Sequence, residues 1–281
     1  MHKSVLAVLA TAAPALAGIY SGPADTTNAI DPAIAAGSSR FVEWANAIRP
    51  LGASTVANGT YFAPRGSSAV DQDGGFNSLG DLDATQIANG DAPGFLTVTF
   101  PSGVRNGTGA DFAVFENGFV FPSGNNLFAE FAYVEVSSNG SDFVRFPSVS
   151  TNTTYAGTFG QGFAGFDVTN VHNLAGKHQG GYGTPFDLAD LAGDAKVTGG
   201  LVSLDNIQYV KLVDIPGNGA FKDGLGNGII DNWLTTGTGG FDFRLGEGLG
   251  VGVINAVPEP AAALVAAGVG LWGLRRRSRQ R

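Results

Sequence analysis

Downstream of residue 95 the chain runs in short stretches in which hydrophobic and polar positions alternate. Phe95-Leu96-Thr97-Val98-Thr99-Phe100 is the first, followed by Asp111–Glu116, Phe131–Ser137, Phe143–Phe146, Ile207–Val213 and Val251–Ile254. A period of two gives a strand one apolar face, so each run reads as a β-strand. Asn139-Gly140 joins two of them and signals a tight hairpin, because both residues tolerate the left-handed backbone. Two stretches carry helical spacing instead. Phe41, Trp44, Ala45 and Ile48 fall at i, i+3, i+4 and i+7 between the cap Ser38-Ser39 and the stop Pro50, which predicts one helix. A shorter helix is predicted over Phe186–Leu191, after Pro185. No internal repeat or Pro-rich linker divides the chain. The expected fold is all-β, a β-sandwich of jelly-roll type with a short N-terminal helix.

Composition sharpens this picture. Glycine supplies 43 of 281 residues, hydrophobic residues 43% and charged residues only 14%. The glycines have no G-X-Y period, which excludes collagen, and the hydrophobic content excludes a disordered chain. The chain has no cysteine, so disulfides, thiol catalysis, thiolate-bound metals and iron–sulfur clusters are all excluded.

Both ends read as addresses. Met1–Ala17 has a positive start at Lys3, an apolar stretch and the small-residue ending Ala15-Leu16-Ala17, the layout of a secretory signal peptide. At the other end Val257-Pro258-Glu259-Pro260 precedes an apolar segment, residues 261–274, and then the basic run Arg275–Arg281. The segment is shorter than the roughly 20 residues that span a bilayer, and the arginines mark its cytoplasmic side. This tripartite tail resembles the PEP-CTERM sorting signal of Gram-negative bacteria, carried by Pro258, Glu259, Pro260, Arg275, Arg276 and Arg277. The resemblance implies transient inner-membrane anchoring through 261–274, processing by an exosortase, and delivery to the cell surface or release. The expected division is a signal peptide 1–17, an ectodomain 18–256 and a sorting signal 257–281. Six of the 16 bases but only one of the 24 acids lie outside residues 18–257, leaving 10 bases against 23 acids. Such a surface repels nucleic acid and suits hard cations.

A second resemblance lies in the middle. Tyr133-Val134-Glu135-Val136-Ser137-Ser138-Asn139-Gly140-Ser141-Asp142-Phe143 is similar to a hairpin of discoidin-like, galactose-binding-like jelly rolls, and Phe241-Asp242-Phe243 to their closing strand. Asp111–Gly118, Ala175–Leu188 and Gly239–Asp242 resemble a family of uncharacterised bacterial cell-surface domains, which implies lineage rather than activity. Arg244 stands where the closing strand usually has a second Asp, and Leu245–Gly250 looks inserted.

No motif announces catalysis, and no catalytic residues are assigned. Gly-x-Ser-x-Gly and His-Glu-x-x-His are absent, and His172 and His178 are the only histidines after the signal peptide. Glu116, Glu130 and Glu135 could in principle serve a glycosidase, but Glu130 and Glu135 are five apart and face opposite ways along a strand. Calcium is the expected cofactor. Asp223, Asn227 and Asp231 fall at positions 1, 5 and 9 of an EF-hand-like loop with Gly228 at position 6. Position 12 is Leu234, so an outside acid such as Asp214 or Asp242 would have to complete a set of Asp223, Asn227, Asp231 and Asp242. The run from Asp71 to Asp83 has the same flavour and could equally be an exposed loop.

The expected ligand site is the segment His172–Asp187, with Lys177, His178, Gln179, Tyr182 and Asp187 among glycines that admit a close ligand. The competing reading is a loop packed on the sandwich with Tyr182 in the core. Sequons at Asn58, Asn106, Asn139 and Asn152 read as surface turns. Together these features predict a secreted, non-catalytic binder of carbohydrate, exopolysaccharide or matrix polymer with calcium-fixed loops. The alternatives are a structural matrix or biofilm component, a small-molecule (corrinoid-like) capture protein, and a polysaccharide hydrolase.

Overall fold

The computed structural model describes residues 18–48, 62–63, 77–153, 156–158, 163–235 and 239–258. The signal segment 1–17, the acidic positions 71–76, Asn58 and the tail after Pro258 lie outside the described residues. Two antiparallel five-stranded sheets form the sandwich. One runs in the order Ile34–Ala35, Tyr182–Phe186, Phe112–Val114, Val251–Val253, Glu43–Trp44. The other runs Val144–Arg145, Ala132–Ser137, Ile207–Asp214, Phe95–Val104, Phe62–Ala63. Phe112, Val114, Phe186, Val251 and Val253 of the first sheet meet Leu96, Val98, Val134, Val136, Val210 and Leu212 of the second in one core.

The predicted strands are present, and the hairpin at Asn139-Gly140 closes with Gly140 at φ +76°. Period two explains why Ala132–Ser137 is buried along its whole length. Ala132, Val134 and Val136 face the main core, while Phe131 and Tyr133 face a second apolar cluster with Leu127, Val168, Leu174 and Ile229. Burial of both faces is what gives this segment its near-continuous apolar character.

The predicted N-terminal helix is absent. Glu43–Trp44 is instead an edge strand paired with Val251–Val253. Its four apolar residues serve two different cores: Phe41 and Trp44 pack on the Phe115 ring, and Ala45 and Ile48 enter the main cluster. A single helical face could not reach both. Gly252 opposite leaves the room, since a Cβ there would stand 2.6 Å from the Phe41 ring. Phe186–Leu191 forms a 3₁₀ turn, Leu188–Leu191, capped by Asp187. Asn152 is also not a surface turn; it is buried and donates to Asp167 O.

Lys177 and His178, expected to touch ligand, are sealed inside and tie down the N-terminal segment. Lys177 Nζ donates to Asp31 Oδ2 at 2.7 Å, and Ser21 Oγ lies 2.8 Å from His178 Nε2. Burial lowers the Lys177 pKa to about 8, against the pull of Asp31, and lowers His178 to about 3. Gln179 contributes its backbone amide to Pro23 O, and Tyr182 is a half-buried strand residue opposite Ala35. Of the five, Asp187 lines a cleft that the other four do not line. Removing one partner of a buried ion pair strands the other charge, at about 3–5 kcal/mol. Lys177→Ala should therefore lower the free energy of unfolding by that amount, with limited proteolysis beginning inside residues 18–36; cleavage starting elsewhere would contradict this anchoring.

Candidate metal centre

Six carboxylates collect where strands end. Glu116 follows Phe112–Val114, Glu130 precedes Ala132–Ser137, and Asp214 closes Ile207–Asp214. Asp231 follows Gly228–Ile230, Asp242 begins Asp242–Phe243, and Asp81 lies three residues beyond the strand paired with it. Their neighbours Leu82, Phe115, Phe131, Ile215 and Phe241 are core residues at 1% exposure or less, so the acids are held in place by packing.

Glu116, Glu130 and Asp242 each offer an oxygen within 4.8 Å of the others. Oxygens about 2.4 Å from a shared calcium can be at most twice that distance apart, so the three fit around one ion. The hydrogen bonds leave much of the cluster unsatisfied. Glu116 Oε2 accepts from Gly118 N at 2.6 Å and Asp242 Oδ2 from Asn117 Nδ2 at 3.0 Å. Asp214 Oδ1 accepts from Phe241 N at 2.8 Å and Asp231 Oδ2 from Phe131 N at 2.7 Å. The Thr235 hydroxyl sits 2.8 Å from Glu130 Oε1 and 3.0 Å from Asp81 Oδ2, but its one proton serves one of them at a time. One oxygen of each of Asp81, Glu116, Asp214, Asp231 and Asp242 is buried with no partner. Gly217 and Gly240, both in the left-handed region at φ +65° and +75°, leave space for these groups: a Cβ would collide with Asp231 Oδ1 and Asp214 Oδ1 respectively.

Burial and mutual repulsion shift the whole set upward. Burial lifts Asp81 from its ordinary 3.8 to about 7, against the Thr235 donors. Burial lifts Glu116 from 4.5 to about 8, opposed by the Asn117 and Gly118 amides and reinforced by Asp242. Glu130 rises well above its ordinary value through burial and then the Glu116 charge. Asp214 and Asp231 do the same through burial and then the Asp81 charge. An all-oxygen, anionic, partly orphaned donor set fits a hard divalent cation, calcium above all.

The EF-hand-like loop is not where that donor set lies. Asp223 takes Leu225 N, Asn227 N, Ser150 N and Asn227 Nδ2, four donors on its two oxygens. It pins the hairpin between Asn218–Lys222 and Gly228–Ile230, and Asn227 is its donor rather than a ligand. Asp231 and Asp242 of the expected set do join the cluster, without Asp223 and Asn227. Glu116 and Glu130 were legible as carboxylates, and Asp81 as part of an acidic run; the shared signal was an acid next to the end of an alternating stretch. Glu135, five residues from Glu130, points away and pairs with Arg145 and Lys211.

Comparison with known proteins bears on the tail. Residues 256–280 match the PEP-CTERM protein-sorting motif. This is an exosortase-sorted surface protein. The sorting motif directs secretion to the cell surface of a Gram-negative bacterium. No curated protein matches the chain. Among the described residues no helix is long and apolar enough to cross a membrane.

Carboxylates whose folded-state pKa lies above the unfolded value hold protons that the unfolded chain has released. Their stabilising effect is complete below the ordinary 3.8 and 4.5 and disappears as pH rises through about 7 and 8. In EDTA, the melting temperature should fall across that window; a melt that rises toward pH 8 would contradict the cluster's electrostatics.

Proposed function

We propose that this surface protein is a non-catalytic binding module for extracellular carbohydrate, braced by a calcium ion held by Glu116, Glu130 and Asp242 with Asp81, Asp214 and Asp231 around it. The observation that carries the calcium half is the set of five buried carboxylate oxygens without a donor. Buried charge of one sign needs a counter-charge or protons, and a divalent ion supplies the first. Burial of the same acids speaks against the hydrolase alternative, which needs two carboxylates facing a substrate groove. The ion would join segments from residue 81 to residue 242, and so would stiffen the loops at that end of the sandwich.

Thermal melting of the secreted protein in EDTA and then in calcium tests the ion. Binding only to the folded state should raise the melting temperature by roughly 5–10 °C at a hundredfold excess over Kd. Glu130→Gln should lose most of the calcium increment, because it removes one of the three oxygens that fit around the ion. Equal melts with and without calcium would remove the ion from the account. Co-sedimentation with the bacterium's own exopolysaccharide tests the other half, with retention expected and its absence telling against carbohydrate binding.

A structural matrix role has one observation in its favour. Phe119 and Phe163 are about half exposed and pack with Phe121 and Phe128 into an aromatic patch. Concentration-dependent self-association, lost in Phe163→Ser, would favour that role.

A further inference from the structure

A second concavity opens at the opposite end of the Phe112–Val114 strand from Glu116, with a volume of about 440 Å³. Asp31, Arg40, His172, Asn173, Asp187 and Asp190 supply its polar lining. Ile30, Pro32 and Pro185 supply the apolar part. Its size falls in the range of small-molecule sites, about 300–1,000 Å³.

The floor of the cleft is rigid. Asp31 Oδ2 accepts from Lys177 Nζ at 2.7 Å and binds His172 Nδ1 at 2.9 Å, while Asp31 Oδ1 accepts from Ser21 N at 3.1 Å. The His172 ring also stacks on Tyr20, with centroids 4.9 Å apart and planes 4° from parallel. An imidazole fixed both through Nδ1 and by stacking presents Nε2 in one direction, and in the neutral ring that nitrogen is an acceptor. Among the described residues His172 Nε2 has no hydrogen-bond partner. Backbone strain gathers here too. Asp31 (φ +49°) and Asn173 (φ +51°) are the two non-glycine residues with left-handed φ among those described, and both line this cleft.

The remaining polar groups limit what can enter. Asp187 Oδ1 is used by Ala189 N and Asp190 Oδ2 by Asn173 Nδ2, which leaves the second oxygen of each carboxylate as an acceptor. Acceptors therefore outnumber donors, which disfavours an anionic ligand. Arg40 on the same lining disfavours a simple ammonium ion. Hydroxyl groups satisfy both kinds of lining group, because each donates and accepts. The prolines and Ile30 offer a surface for the C–H face of a ring.

We propose that this cleft binds one saccharide unit of an extracellular polymer, with Asp187, Asp190 and His172 Nε2 accepting from its hydroxyls and Arg40 donating to them. The proposal rests on the carbohydrate reading above and is independent of its calcium.

Saturation-transfer NMR on the secreted protein tests it, with glucose, galactose, mannose, rhamnose and N-acetylglucosamine as probes and putrescine and acetate as controls. Transfer to at least one neutral sugar is expected. Affinity for that sugar should fall about tenfold or more in Asp190→Ala and in His172→Ala, and Phe163→Ala should leave it unchanged. Asp190→Asn serves as the milder variant should Asp190→Ala fail to fold, and unchanged melting of the variants separates lost binding from lost structure. Transfer that survives these variants would overturn the cleft while leaving carbohydrate binding in place. No transfer to any sugar, or transfer to putrescine or acetate alone, would overturn both.

Discussion

Like charges that cannot move apart organise one end of this molecule. Asp81, Glu116, Glu130, Asp214 and Asp242 each lie one position from a side chain locked in the apolar core, and Asp231 lies two positions from the buried Ile229, so no acid can swing to solvent without pulling a Leu, Phe or Ile out of packing. Their hydrogen-bond donors are backbone amides, hydroxyls and one Asn amide, which reduce the repulsion but do not cancel it. The hydrophobic effect that builds the two-sided core thus also holds the carboxylates together. Gly217 and Gly240 belong to the same constraint, since any larger residue would occupy the volume of a carboxylate.

The two ends of the sandwich consequently differ in character. Around Glu116 the polar groups are under-satisfied and of one sign, a setting for a cation. Around Asp31 the charges are balanced by Lys177 and the hydrogen bonds nearly complete, so the polar lining is rigid and its free acceptors are few and directional. The same antiparallel pairing, Phe186 opposite Phe112, carries Asp187 to one end of the strand and leaves Glu116 at the other.

The strands of this fold were legible because period-two alternation is a local property, and so was the Asn139-Gly140 turn. The segment around Trp44 was misread because i, i+3, i+4 spacing also suits an edge strand whose side chains reach two separate cores, and only the pairing with Val251–Val253 decides between them. The carboxylate cluster was half legible. Asp231 and Asp242 could be named, yet the loop containing Asp223 imitates a calcium motif while spending its carboxylate on its own backbone. Glu116 and Glu130 are 14 residues apart and more than a hundred from Asp242, and no spacing rule links acids that meet only through sheet topology. Lys177 and His178 looked like ligand contacts because their residue types are shared by binding loops and by buried polar ties; burial alone tells them apart.

The last backbone bond of the folded unit has a geometric consequence for maturation. Val257 N donates to Gly103 O at 3.0 Å, and Pro258, the first proline of the sorting motif, follows immediately. No spacer separates the finished sandwich from the sequence its processing enzyme must grip. The folded sandwich therefore reaches the first residue of the sorting motif, and Arg105, just past the end of the Phe95–Val104 strand, holds the junction through its Nε bond to Ala256 O.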